Sequence, residues 1–191
     1  MIKAIIFDCF GVLTTDQWRA FVDSLPPDID TAKARELNRQ YDAGLLTAHE
    51  FIDQVAALTD QSPEKVAALL DNEANKNAML LGYIGQLRNH GYRIGMISNV
   101  GTDWITKTFL TAEEQALFDD MIFSYEVGMT KPDPRIFHMA CERLAVPPEE
   151  AVFVDDIASY CTSAEQEGLQ TIVYEDFRQF KSALLQILSH D

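Results

Sequence analysis

Three aspartates, a serine–asparagine pair and one lysine stand where this chain could do chemistry. Asp8 ends the apolar run Ala4-Ile5-Ile6-Phe7, and Ser98 and Asn99 follow Ile94-Gly95-Met96-Ile97. Lys131 lies in the loop beyond Met121-Ile122-Phe123, and Asp155 and Asp156 follow Ala151-Val152-Phe153-Val154. Each apolar run is short and suits a parallel strand buried on both faces. In a parallel sheet the carboxyl ends share one edge, and ligands bind there. Three carboxylates crowded at that edge would repel one another unless a cation joined them. A hard divalent ion such as Mg²⁺ takes oxygen ligands, usually one or two carboxylates plus substrate phosphate. A hydroxyl, an amide and a lysine beside it suit a phosphate group, through hydrogen-bond donors and a point charge. The pattern is that of a phosphoryl-transfer site.

The elements that must position these residues are legible in the spacing. Residues 2–7 read as the first strand. From about residue 14 to residue 75 helical spacing takes over, with Trp18, Phe21, Val22 and Leu25 on one stripe before Pro26-Pro27 stop it. A second helix is expected over 31–42, ending at Gly44. Thr47 with Glu50 three residues on forms a capping box for a third, with Leu46 and Phe51 where a hydrophobic staple sits. Ser62-Pro63 opens a fourth by the N-cap and first-turn proline rule. From residue 76 helix and strand alternate: a helix over 78–89, a strand over 92–97, a helix near 102–110 and a short capped one over 111–117. A strand over 121–124 and a loop over 126–133 lead to a helix opening at Asp133-Pro134. A strand over 151–154, a helix ending at Gly168, a strand over 171–174 and an amphipathic closing helix complete the chain. This order argues for an α/β fold, a doubly wound parallel five-stranded Rossmann-like sheet. Residues 1–14 and 76–191 would form the catalytic core, and residues 15–75 an all-α cap.

The 191 residues are nearly half apolar, enough for one core with an insertion. Thirty acidic residues against fifteen basic ones give a net charge of −15, which disfavours nucleic acid or an anionic membrane as a partner. Three cysteines far apart fit neither a disulfide framework nor a zinc ribbon, so a reducing, cytoplasmic compartment is expected. Strand alternation sends Cys9 to the face opposite Asp8, which favours packing over nucleophilic chemistry. The four histidines are isolated and lack metal-ligand spacing. No apolar stretch approaches a membrane span, and the first residues carry no cleavable signal pattern.

The motifs resemble those of the haloacid dehalogenase superfamily of hydrolases. The resemblance rests on Phe7-Asp8-x-Phe10-Gly11-Val12-Leu13, Ile97-Ser98-Asn99, Gly128-x-x-Lys131-Pro132-Asp133-Pro134, and Phe153-Val154-Asp155-Asp156 with Gly168. These stand in the family's order and cover nearly the whole chain. A helical insertion directly after the first motif matches the subclass with a small α-helical cap. The resemblance implies that Asp8 is the nucleophile, forming an aspartyl-phosphate that splits one hard step into two. It implies that Ser98 and the Asn99 backbone bind phosphoryl oxygens and that Lys131 neutralises charge on nucleophile and phosphate. Mg²⁺ would be held by Asp8, the Phe10 carbonyl and Asp156, with Asp155 binding directly or through water. The substrate would be a small phosphorylated metabolite.

Phe10 departs from the family's phosphatases, which usually carry a second aspartate there to protonate the leaving alcohol and later activate water. Such a group is worth about 10²–10⁴-fold. The haloacid dehalogenases proper place an aromatic at this position and need no metal, but they have a serine–serine–asparagine run where this chain has Asp155-Asp156. They also use a cap arginine, for which Arg35 and Arg39 are available. Three readings follow: a Mg²⁺-dependent phosphatase, a metal-independent haloacid dehalogenase, or a weak or inactive member that binds a phosphometabolite or partner. Trp18, Phe21, Tyr41 and Phe51 are candidates for the inner face of the cap.

Overall fold

Strand β1 (Ala4–Phe7) is buried along its whole length because it runs through the middle of the sheet. It pairs in parallel with β2 (Arg93–Ser98) on one side and β4 (Ala151–Asp155) on the other. Strands β3 (Asp120–Phe123) and β5 (Gln170–Val173) close the edges, giving the order β3-β2-β1-β4-β5, all parallel. The computed structural model describes residues 1–70 and 75–189. The stretch 71–74 inside the expected insertion and the fourth histidine, His190, lie outside the described residues.

Alternation along β1 divides the core into two layers. Ile5 and Phe7 pack with Leu80, Ile84 and Phe180 from α5 (Ala78–Asn89) and α10 (Phe177–Ser189). Ala4 and Ile6 pack with Phe137 and Cys161 from α8 (Pro134–Arg143) and α9 (Ala158–Gln166). A parallel sheet is stable only when both faces are covered in this way. Among the described residues, no helix is long and apolar enough to cross a membrane.

Between β1 and α5 the described residues form four helices: α1 (Gln17–Asp23), α2 (Thr31–Asp42), α3 (Ala48–Thr59) and α4 (Pro63–Leu70). They share an apolar cluster of their own, built on Leu37, Tyr41, Phe51, Val55 and Val66. The capping box at the head of α3 is formed: Glu50 N donates to Thr47 Oγ1 at 3.3 Å, and Thr47 N donates to Glu50 Oε2 at 2.8 Å. Leu46 and Phe51 both join the cluster, as a staple should. Helix α1 stops at Asp23, short of Leu25.

Several local expectations change. The helix near 102–110 is a π-helical turn, Ile105–Phe109, closed by Leu110 N donating to Ile105 O at 2.9 Å. The wider turn brings Trp104 over Phe109, five residues on, with ring centroids 5.1 Å apart and planes 11° apart. The loop over 126–133 is partly helical, because β3 turns directly into α7 (Ser124–Val127), which ends at Gly128 with φ +65°. The short capped helix α6 (Ala112–Gln115) is a single turn within the longer span expected. Strands β2 and β4 each run one residue further than their apolar segments. Ser98 and Asp155 are fully buried ladder residues, paired with Phe123 and Val173.

Candidate active site

The ladder register decides which side chains meet. Phe7 is level with Met96 and Val154, so the next residue, Asp8, emerges between β2 and β4. Its amide donates to Val154 O at 2.9 Å, which fixes the end of β1. The side chain is almost wholly buried, and its Oδ1 accepts from Cys9 N at 2.6 Å and lies 2.8 Å from Lys131 Nζ. Cys9 points into the opposite apolar layer, and burial pushes its thiol well up, so it is packing. At Gly11 the backbone takes φ +87°, and a Cβ there would sit 2.3–2.5 Å from the carboxyl atoms of Asp156. Only glycine lets the chain turn this close to that carboxylate.

Lys131 is buried and held at both ends. Asn99 clamps its backbone: Lys131 N donates to Asn99 Oδ1 at 2.8 Å, and Asn99 Nδ2 donates to Lys131 O at 3.0 Å. The Asn99 side chain is therefore engaged in positioning the lysine. At the other end Nζ reaches Asp155 Oδ2 at 2.6 Å as well as Asp8, and lies over the rings of Tyr160 and Phe153. Burial alone would lower the Lys131 pKa. The charges of Asp155 and Asp8 outweigh it, so the pKa is raised and the ammonium stays charged. The Asp8 carboxyl is pushed well up by burial and by Asp155, against the pull of Lys131.

Asp8, Asp155 and Asp156 offer oxygens that all lie within 4.8 Å of one another. Asp155 Oδ1 accepts from Ile157 N at 2.8 Å. Asp156 Oδ2 pairs with Arg19 Nη2 at 2.7 Å, whereas its Oδ1 is buried without a partner. Burial raises the Asp156 carboxyl, and Arg19 opposes that rise. An orphaned buried oxygen within an all-oxygen donor set fits a hard divalent cation. Ser98 Oγ is also buried and unpartnered, at the end of β2 beside this cluster.

A family model of haloacid dehalogenase-like hydrolases matches residues 2–166. The chain belongs to that family. This hydrolase is 28% identical to D-ribitol-5-phosphate phosphatase of Bacteroides thetaiotaomicron, over 99% of this chain and 100% of that one. It is 24% identical to (S)-2-haloacid dehalogenase 4A of Burkholderia cepacia, over 90% of this chain and 82% of the other. Among solved structures, a magnesium complex of a HAD-family enzyme from B. thetaiotaomicron superposes with a TM-score of 0.71 at 25% identity. The superposition covers 92% of this chain and 96% of that one.

In this HAD-like hydrolase the sheet edge and helices α1, α2 and α4 enclose a cavity of about 150 Å³. Asp8, Phe10, Asn99 and Lys131 line it; Asp156 opens instead onto an adjoining depression with Arg19. The Phe10 ring stacks on Trp104, centroids 5.8 Å apart, so an apolar wall stands two residues from Asp8. Of the aromatic residues expected on the inner face, Trp18 and Tyr41 line the cavity. Phe21 and Phe51 do not. Phe51 stacks under Tyr41 at 4.7 Å and Phe21 packs on Trp18, both within the insertion's own cluster. Arg35 and Arg39 are exposed and paired with Asp23 and Glu36, away from the cavity.

Two groups near the site have no family motif to mark them. Arg19 reaches Asp156 because Asp16 caps α1 and holds the guanidinium at 3.3 Å. Asp42, the last residue of α2, is buried against the cavity. Only the helical spacing, which ends α2 near this residue, could have drawn attention to Asp42.

Proposed function

We propose that this chain is a Mg²⁺-dependent phosphatase acting on a small phosphate ester through an aspartyl-phosphate on Asp8. The observation that carries the reading is the convergence of Asp8, Asp155 and Asp156, with one Asp156 oxygen left unpartnered. Asp8, the Phe10 carbonyl, Asp155 and Asp156 would hold the ion. Bound there, Mg²⁺ supplies charge neutralisation for the phosphate and for the carboxylates that would otherwise repel it.

Asp8 is the nucleophile: its second carboxylate oxygen attacks phosphorus while Oδ1 stays bound to Cys9 N and Lys131. Lys131, fixed between Asp8 and Asp155, neutralises the developing charge. The unpartnered Ser98 hydroxyl donates to a phosphoryl oxygen, with the Asn99 backbone beside it. The helical insertion, residues 15–75, acts as the cap that excludes water and selects the leaving group. The free, buried cysteines suit a cytoplasmic setting. The dehalogenase reading draws on Phe10, but among the described residues no arginine lines the cavity to receive a halide.

The test is a panel of phosphate esters and 2-haloacids run with Mg²⁺ and with a chelator. Ester hydrolysis should require Mg²⁺ and fall at least about 10³-fold in Asp8→Asn. Haloacid turnover in chelator, or ester turnover that survives it, would overturn the reading.

A further inference from the structure

The cavity holds a carboxyl that the reaction described above does not use. Asp42 ends α2, is only 8% exposed, and lines the same cavity as Asp8, Phe10 and Lys131. Its position is fixed from two sides. Asn38 Nδ2 donates to Asp42 Oδ2 at 2.7 Å. Ser124, the first residue of α7 directly after β3, donates its hydroxyl to the Asp42 carbonyl at 2.5 Å and accepts from Val100 N at 2.9 Å. The sheet thus pins the end of α2 over the catalytic edge.

We propose that Asp42 is the general acid–base of this site, in place of the carboxylate that Phe10 does not provide. The proposal rests on the phosphatase reading. In-line displacement puts the leaving oxygen on the side of phosphorus away from the nucleophile. With phosphorus at Asp8, that side is the cavity walled by the insertion, where Asp42 stands. In the first step an Asp8 oxygen bonds to phosphorus and the ester P–O bond breaks. The leaving alkoxide takes the Asp42 proton and departs as the alcohol. In the second step water attacks phosphorus, its proton passes to Asp42, and the bond to Asp8 breaks. Inorganic phosphate leaves, and both aspartates return to their starting states.

The other groups facing Asp42 are not free for this task. Asp16 Oδ1 accepts from Arg19 N at 2.9 Å, and its Oδ2 pairs with the Arg19 guanidinium. Lys131 is locked between two carboxylates. The phenols of Tyr41 and Tyr160 are both pushed up by burial, so they are poor proton donors near neutral pH. Burial and then the Asp16 charge push the Asp42 carboxyl up to about 7, against Asn38 and Lys131. An acid–base group works best when its pKa lies near the operating pH.

Leaving-group dependence separates this role from a structural one. The variants are Asp42→Asn and Asp42→Glu; the substrates are 4-nitrophenyl phosphate, whose leaving group needs little protonation, and a polyol phosphate, whose alkoxide needs much. Asp42→Asn should lower polyol phosphate turnover by about 10²–10⁴-fold. The burst of nitrophenolate that reports Asp8 phosphorylation should slow less than about 10-fold, with phosphoryl-enzyme accumulating by mass spectrometry. Asp42→Glu should recover part of the polyol rate, and the pH–rate limb near neutrality should vanish in Asp42→Asn. Equal slowing of the Asp8 phosphorylation step with both substrates in single turnover, or polyol turnover within about 3-fold of the parent, would overturn the proposal. If the parent chain forms no phosphoryl-enzyme with either ester, the phosphatase reading itself fails and the role of Asp42 falls with it.

Discussion

Asp42→Asn should stabilise the fold, and only where Asp42 would otherwise be losing its proton. An unfolded aspartate titrates near 4, whereas burial pushes Asp42 up to about 7 in the native protein. Because the folded pKa is raised, the native state holds a proton through this window that the unfolded state has released. Stability therefore falls as pH rises from about 4 to about 7, and the full cost persists above that. Below pH 4 both states are protonated and the contribution is absent. A shift of about three units corresponds to roughly 4 kcal/mol, and water reaching the cavity side of the carboxyl would reduce it, so a gap of about 2–4 kcal/mol is expected. Asparagine is nearly isosteric and can still accept from Asn38, so the comparison isolates the charge. Urea unfolding of parent and variant at pH 4.5, 6 and 8 would read the gap directly, since the remaining titrating groups are common to both. A gap that does not grow with pH, or a variant less stable than the parent at pH 8, would show that Asp42 is comfortably ionised in the native protein.

Two further substitutions probe the site from other directions. Ser98→Ala removes a buried hydroxyl that has no protein partner, so stability should change by less than about 1 kcal/mol while kcat/KM falls about 10–100-fold. A stability loss as large as the activity loss would make Ser98 a structural residue. Phe10→Asp restores a carboxylate two residues from the nucleophile, at the cost of the stack on Trp104. In the Asp42→Asn background it should recover at least about 10-fold of the lost polyol phosphate turnover, and no recovery would show that the missing proton is not what limits that variant.

The sheet and the carboxyl-edge residues were legible because their signals are local. A buried strand ending in a polar residue needs only the run of Ile, Val and Phe that precedes Asp8, Ser98 or Asp155. The helical insertion was legible for the same reason, since capping boxes and proline starts are short patterns. The contacts that cross the structure were not. Arg19 meets Asp156 across 137 positions, and no periodicity announces an ion pair between a helix after one strand and the tip of another. Asp42 is hidden in the same way: on a helical wheel it is one more polar residue at a C-terminus, and the Ser124 contact to its carbonyl, which helps set it over the cavity, comes from 82 positions away. The π-turn at 105–109 was missed because an i, i+5 spacing differs from an α-helix by one residue. Within it the wider turn places Trp104 over Phe109.

Phe10 and Asp42 line the same cavity. Among the carboxyl-edge groups, three carboxylates face Lys131 and Arg19, so a divalent cation and a phosphate dianion would enter a nearly balanced site. An aspartate at position 10 would add a further negative charge beside Asp8. A phenylalanine stacked on Trp104 instead lends that wall of the cavity low polarity. Burial is the leading cause of the raised Asp42 pKa, and it weakens wherever the wall is polar and wet. On the proposed reading, the aromatic wall at position 10 and the carboxyl on α2 face the same cavity, one apolar and one able to carry the proton. A proton donor carried by α2 also ties protonation of the leaving group to the insertion being seated on the sheet, through the hydrogen bond from Ser124 to Asp42.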